Sequence, residues 1–600
     1  MNSGAVQIGR LRVRGTVANT PALRLRLAHL LNTTSLQPDG LPPSAVLVVR
    51  QLSDPLPGRL ARQQMAHRAD PAWESAARRS LSDLHRRAAR PQQGIIAGDP
   101  EAVLFADEAE MLACLLLARQ RNVTSGAWWR WAVGDRPGPA SSLFRRLVTE
   151  PALTPAVLGH LAAWKAVEQV LALLAEAETA ALIQAVSRAH QLPALSVSVV
   201  SAPDISTLSA PALHEEKVGS GIQTETGEAA VDVLPPWAGI VPGIVSPRLT
   251  PVKQALLGLC LALQAWPAAA RTAAFQHGWQ QWWEQSVTSA PVSSEQKATP
   301  PDDKPTARRV EQVERASVSN EKSLPAQDDV VQTAAARHED GADIIRPARQ
   351  EVAARASGQA AAGEEWTPAA QRPEVEAPLH ESDIPAAVEA QETEPELDTL
   401  SWATNGVETR LGGVLYLLNV IRRLDLPASA EAGWGIAGQI GACGLLELLG
   451  RALLSSAAEA IAADPLWRVL AELDGRAPDE MPGADFRQAG DGDFPSGWLE
   501  IAKRNDGKPA VQMAGISPDL ARWLDVAVPV IRCRLAEALA LPESEIGALL
   551  QVPGRLFVTR THLDLIMPLS AISLPVRKAG LDSNPGWLAA FGRIVTFHFQ

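Results

Sequence analysis

The residues best placed to do chemistry lie in "RTHLDL", 560–565, where His562 and Asp564 stand two apart. In a strand that spacing puts both on one face, the arrangement of an acid/base or metal pair. Arg560 shares the face, while Phe557, Leu563 and Leu565 line the other. This is also the polar-out, apolar-in alternation of a half-exposed strand, and it is read as such. An enzyme with an unfamiliar site would have to use His562, Asp564 and Asp582. "GWGIAGQIG" holds a literal GxGxxG at Gly433, Gly435 and Gly438, but the preceding "DLPASAEA" is no strand on which a pyrophosphate loop could be built. "NDGKP" lacks the upstream glycine and the Ser or Thr of a phosphate loop. His85, His160, His190 and His277 stand singly, without HExxH spacing, and no GxSxG occurs. Glu108 and Glu110 suit a helix N-terminus better than paired-carboxylate catalysis. No catalytic, cofactor-binding or metal-ligating residue is assigned, and no cofactor is expected.

Tryptophan is the other unusual feature, with 17 Trp against 1 Tyr. "AWWRWAV" carries Trp128, Trp129 and Trp131. "WQQWWEQ" carries Trp279, Trp282 and Trp283, at i, i+3, i+4 spacing that makes one aromatic stripe on a helix. Such a stripe serves a core or a docking surface. The candidate partner contacts are these six tryptophans together with Arg577, Asp582 and Trp587 near the C-terminus.

The elements that must position these residues follow from pattern and composition. At about 150 residues per domain, 600 residues imply two to four units. The net charge is −12, and residues 285–400 alone hold 23 acidic against 11 basic residues, so the remaining 44 acidic and 44 basic residues balance. The same segment is rich in Pro, Ala, Ser, Gln and Glu, which predicts a disordered acidic linker. As a flexible coil of about 115 residues it would span near 60 Å. Before it come a predominantly helical N-terminal α+β domain over 1–200, a polar linker over 201–235, and a helical segment over 236–284 that packs with the N-terminal region. After it, 401–600 reads as a C-terminal α+β domain ending in a small sheet. The fold class is thus α+β, predominantly helical, in two folded regions.

Within this frame "QIGRLRVRGTV", 7–17, and "SAVLVVRQL", 44–52, read as strands. "DEAEMLACLLLARQ" reads as a helix with an acidic start, and "KAVEQVLALLAEAETAALIQAVSRAHQ" as one long helix. "DPLWRVLAEL" is a helix opened by Asp464 and Pro465. "LARWLDVAVPVIRCRLAEALAL" is helical with a kink or break at Pro529. "GRLFVTRTHLDLIMPL", the stretch around Leu574–Arg577 and "GRIVTFHF" read as strands.

Several function classes are disfavoured. The basic cluster Arg78, Arg79, Arg86, Arg87 and Arg90 includes Asp83 and belongs to a neutral half, so no nucleic-acid partner is expected. The N-terminus has no apolar h-region, and "LGGVLYLLNVI", 411–421, is about half the roughly 20 residues of a membrane helix, so a cytoplasmic protein without membrane insertion is expected. Cys114, Cys260, Cys443 and Cys533 are too scattered for a zinc site or disulfide framework and read as buried free thiols.

"FADEAEMLACLL" with "WWRWA", "ETRLGGVLYLLNVIRRLDL", "DPLWRVLAEL" and "LPVRKAGLDSNPGWLAAFGRIVTFHF" together resemble an uncharacterised bacterial family. Its members are encoded beside extracellular contractile injection systems, the phage-tail-like particles with sheath, tube and baseplate. The likeness covers both folded regions, about half the chain, and brings no catalytic residues. It implies a non-enzymatic accessory, structural or assembly protein whose two tethered domains contact sheath, tube or baseplate subunits. The alternatives are an enzyme with an unrecognised site in the C-terminal domain, or an effector cargo.

Overall fold

A computed structural model describes residues 20–57, 69–122, 128–133, 141–192, 234–241, 248–288, 399–423, 440–484, 498–503 and 513–600, with a few isolated positions besides. The expected strand over 7–17, the polar linker over 201–235, the acidic linker and "GWGIAGQIG" lie largely or wholly outside the described residues. The described residues form a predominantly helical α+β fold with two large hydrophobic cores and a small third cluster around Trp73. The described residues of the N-terminal and C-terminal regions nevertheless belong to one compact unit.

In the N-terminal region the helices are α1 (Thr20–Asn32), α2 (Pro71–Arg86), α3 (Glu108–Gln120), α4 (Trp128–Ala132), α5 (Ser141–Thr149), α6 (Thr154–Ala163), α7 (Val167–Leu171), α8 (Glu176–Ala189), α9 (Pro251–Ala265) and α10 (Ala273–Thr288). Strands β1 (Val46–Val49) and β2 (Ala102–Phe105) pair antiparallel, Val46 opposite Phe105. β1 falls within the apolar run 44–52 expected as a strand, whereas β2 was not expected as one. Its fully buried "AVLF" is too short for periodicity to distinguish strand from helix.

Local rules account for the helix starts. Asp70 accepts the Ala72 N–H and precedes Pro71, and α2 buries Trp73, Ala77 and Leu84 on one stripe. α3 is buried from Glu108 to Leu117, so its ten apolar and acidic residues face protein on every side. The single long helix expected over 165–191 is two, α7 and α8, separated at Ala172–Ala175. There the Glu178 carboxylate takes the Ala175 N–H at 3.1 Å and starts a new helix.

The C-terminal region continues with α11 (Thr399–Asn405), β3 (Val407–Thr409), α12 (Leu417–Arg423), α13 (Ala442–Leu453), α14 (Ala458–Ile461), α15 (Pro465–Leu473), α16 (Trp498–Lys503), α17 (Pro518–Leu539), α18 (Ile546–Leu550), β4 (Gly554–Val558), β5 (His562–Met567), α19 (Leu574–Ala579), β6 (Gly586–Leu588) and β7 (Arg593–Phe599). Asp464 caps α15 by accepting the Leu466 N–H, and also takes the Arg410 N–H and the Thr409 hydroxyl, tying helix to strand. α17 runs through Pro529 without a break, capped by Ser517 at one end and by left-handed Ala540 at the other.

The five-stranded sheet has the order β3-β4-β5-β7-β6. β5 and β7 run parallel, Leu563 opposite Val595, and every other pair is antiparallel. β7, formed by "GRIVTFHF", is therefore internal to the sheet. The stretch 574–577 is helical rather than a strand: Pro575 in the first turn and Gly580 at φ +64 delimit the short helix α19.

Candidate functional site

The most concentrated set of polar groups lies where the two cores meet. Asp107 follows β2 in extended backbone and caps α3, its Oδ1 accepting the Glu110 N–H at 2.9 Å. Its Oδ2 accepts the Thr561 hydroxyl at 2.7 Å, so a residue of the N-terminal region is bonded to the tip of the β4–β5 hairpin. That tip has only two residues, Arg560 and Thr561, and no glycine. The Thr559 hydroxyl builds the turn by accepting the N–H groups of Thr561 (3.2 Å) and His562 (2.9 Å), while the Thr559 N–H reaches the His562 carbonyl at 2.9 Å. Buried Arg593 braces the tip from behind, donating to the Thr559 and Phe591 carbonyls.

Arg560 extends from the tip across α6, where a Cβ at Gly159 would stand 3.0 Å from its Nη1; glycine makes the close approach possible. The Arg560 carbonyl accepts from Gln264 on α9 at 3.5 Å. Glu110 turns back to accept the Ala106 N–H at 2.6 Å. His160 on α6 is half-buried as a residue, but its Nε2 is enclosed and has no hydrogen-bond partner.

Burial governs the electrostatics. It works to raise the Asp107 carboxyl, but nearby His160, the Thr561 hydroxyl, the Glu110 N–H and the Thr559 hydroxyl outweigh it and hold that group below its ordinary value. Glu110 has fewer such partners, and burial, reinforced by Asp107, pushes it up to about 7. Burial, with some help from Arg560, pushes His160 down to about 4, leaving a neutral imidazole near neutral pH. Arg560 and Arg593 are both lowered by burial.

Chemically the cluster is a fastening. The Thr561 hydroxyl proton is committed to Asp107, so the His562 Nδ1, 2.8 Å from the same oxygen, must act as donor to it and not as base. A nucleophile would need the opposite polarity.

A second contact crosses the same boundary. The Trp587 Nε1–H donates to the Ala189 carbonyl at the end of α8 (3.0 Å), and its ring meets His190 edge-on at 5.0 Å. His190 is 1% exposed with neither ring nitrogen partnered, and burial, assisted by Arg271, pushes it down to about 3. Trp587, expected at a partner surface, thus contacts another part of its own chain.

The other candidates divide. Trp279, Trp282 and Trp283 are buried in the N-terminal core around Trp237, whose ring lies 4.7 Å from Trp282 and covers Gly258, where a Cβ would collide with it. Trp129 is buried against Phe105, and Trp128 donates to the Pro100 carbonyl. Trp131 is 63% exposed and free to meet a partner. Arg577 pairs with Asp582 at 3.5 Å and lies over the Phe599 ring. His562, Asp564 and Asp582 are not brought together as one site: His562 is held by Thr561, and Asp582 by Arg577. Asp564 is fully buried, with His598 at 3.3 Å from its Oδ1. The reading of Asp564 as outward-facing is corrected accordingly. Leu563, Leu565 and Met567 are buried on the other face as alternation requires, and His562 and Ile566 beside Asp564 are half-buried. Cys114, Cys260 and Cys443 are buried free thiols, whereas Cys533 is half-buried.

A groove of about 760 Å³ opens elsewhere, lined among others by Asp39, Arg78, Glu408, Arg555, Phe557 and Gln600. Its arginines are already engaged, Arg555 with Glu408 and Arg78 with Glu74. Among the described residues no group of three His, Cys, Asp or Glu side chains is placed to hold a metal, and no helix is long and apolar enough to cross a membrane.

Fold and joint together define a two-core α+β protein. In comparisons with known proteins, no family model, no curated protein and no solved structure matches the chain.

Sequence reasoning missed the joint itself. Asp107 was legible as the start of a helix, but nothing local marks Thr559, Arg560 and Thr561 as its partners.

Proposed function

We propose that the chain is a non-enzymatic accessory or assembly protein that works by protein–protein contact, presenting one body built of two cores. One observation carries this reading: Asp107, Glu110 and Thr561 are buried, and His160 and Arg560 half-buried, where the two regions meet. Polar groups consumed in this way favour a rigid architecture over a reactive one. Exposed Trp131, beside Trp128, offers an aromatic anchor of the kind that binding hot spots use.

The assembly we propose is a contractile injection particle, with sheath, tube or baseplate subunits as partners, on the strength of the sequence motifs that resemble that family. In this reading the protein acts in the cytoplasm, where such a particle is built. Because both folded regions share a compact unit, the proposal does not depend on two ends reaching separate sites.

The test is native affinity purification of the tagged protein from cells making the particle, followed by mass spectrometry. Sheath, tube or baseplate subunits should accompany it, and Trp131→Ala should weaken their recovery. A bait that returns no particle subunit overturns the reading, and recovery from inside the tube lumen would make the protein a cargo instead.

A further inference from the structure

Asp107 and Glu110 place two carboxyl groups, 0% and 6% exposed, at the N-terminus of α3, directly under the hairpin tip. They are unequally served. Asp107 accepts a side-chain hydroxyl and a backbone N–H, whereas Glu110 has the single N–H of Ala106. Two neighbouring carboxyls removed from water cannot both ionise cheaply, and the one with fewer donors keeps the proton.

We propose that docking of the β4–β5 tip onto α3 is proton-linked: the joint closes with a proton held on Glu110 and opens more readily when that proton leaves. The groups facing Glu110 come from every element around it. Asp107 and Cys114 lie on or beside its own helix, Arg90 comes from the segment before β2, and Arg560 from the hairpin tip. The two arginines favour the ionised form and are outweighed by burial, with Asp107 adding to it. His160, which faces Asp107 and Arg560 from α6, is neutral near pH 7 and supplies no compensating charge.

Glu110 is raised from 4.5 to about 7 in the folded chain, so its contribution is fully present on the acid side and is lost as pH rises through 7. His160, lowered from 6.5 to about 4, acts oppositely, costing stability as pH falls from 6.5 toward 4. From about pH 6.5 to about pH 8 Glu110 outweighs His160, whose opposite effect fades as pH rises above 6.5, and Cys114, raised by burial, titrates above this interval.

Hydrogen exchange on the full chain reads the joint through the Trp587 indole N–H, which donates across the same boundary to the Ala189 carbonyl. Its protection factor should be roughly twofold higher at about pH 6.5 than at about pH 8, and Glu110→Gln should reverse the trend, leaving only the opposite effect of His160. An isotope-edited infrared titration of wild-type Glu110 should show a protonated carboxyl that ionises near neutral pH. Wild-type protection that does not change over this interval, a Glu110→Gln chain that keeps the wild-type pH dependence, or a Glu110 that ionises in the ordinary carboxylate range, each overturns the proposal. If Glu110→Gln does not fold, the wild-type titration decides alone.

Discussion

The Thr561 hydroxyl donates to the Asp107 carboxylate at 2.7 Å, although 454 positions of sequence separate the two. Neither residue is exposed, Asp107 at 0% and Thr561 at 2%. A buried carboxylate is tolerated only while its hydrogen bonds are made, so this contact commits the N-terminal and C-terminal cores to each other. Trp587 on Ala189 and Gln264 on Arg560 repeat the commitment at two further points.

Thr561→Val keeps the side-chain shape and removes the donor, leaving Asp107 short of a partner in a water-free site. The expected cost is about 1–3 kcal/mol, read as a lower urea midpoint with an unchanged slope. In a double-mutant cycle with Asp107→Asn the two losses should be strongly non-additive. A stability loss of only a few tenths of a kcal/mol would mean that the bond does not hold the joint.

Removal of residues 593–600 deletes β7, which lies between β5 and β6 and carries the buried Val595 and Phe597. Phe597 also packs edge-on against Tyr416, and its N–H donates to Asn584. Losing an internal strand exposes both neighbours, so the truncated chain should lose cooperative melting of the C-terminal region. A truncated chain that melts cooperatively at the wild-type temperature would refute this.

What was legible in the sequence was local. Asp70–Pro71 and Asp464–Pro465 announce α2 and α15, because a capping carboxylate and a following proline act within one turn. α19 was misread from the apolar start of "LPVRKAG", although proline inside its start and glycine past its end are helix punctuation. The β4–β5 turn had no such signal, since Asn-Gly chemistry is replaced by the Thr559 hydroxyl. Buried Asp564 was read as outward-facing because alternation reports which residues share a face and not what covers that face. Charge and composition marked the acidic segment between the two regions, but docking of the flanking regions depends on pairs hundreds of residues apart, beyond any local pattern.

The claim that the two cores form one body is tested most directly by cutting the chain between them. A specific protease site inserted within 293–393, between the two regions in sequence, allows cleavage of the folded full-length protein. After cleavage the two fragments should elute together in native size-exclusion chromatography and separate only in denaturant. Two separately eluting folded fragments would contradict the account.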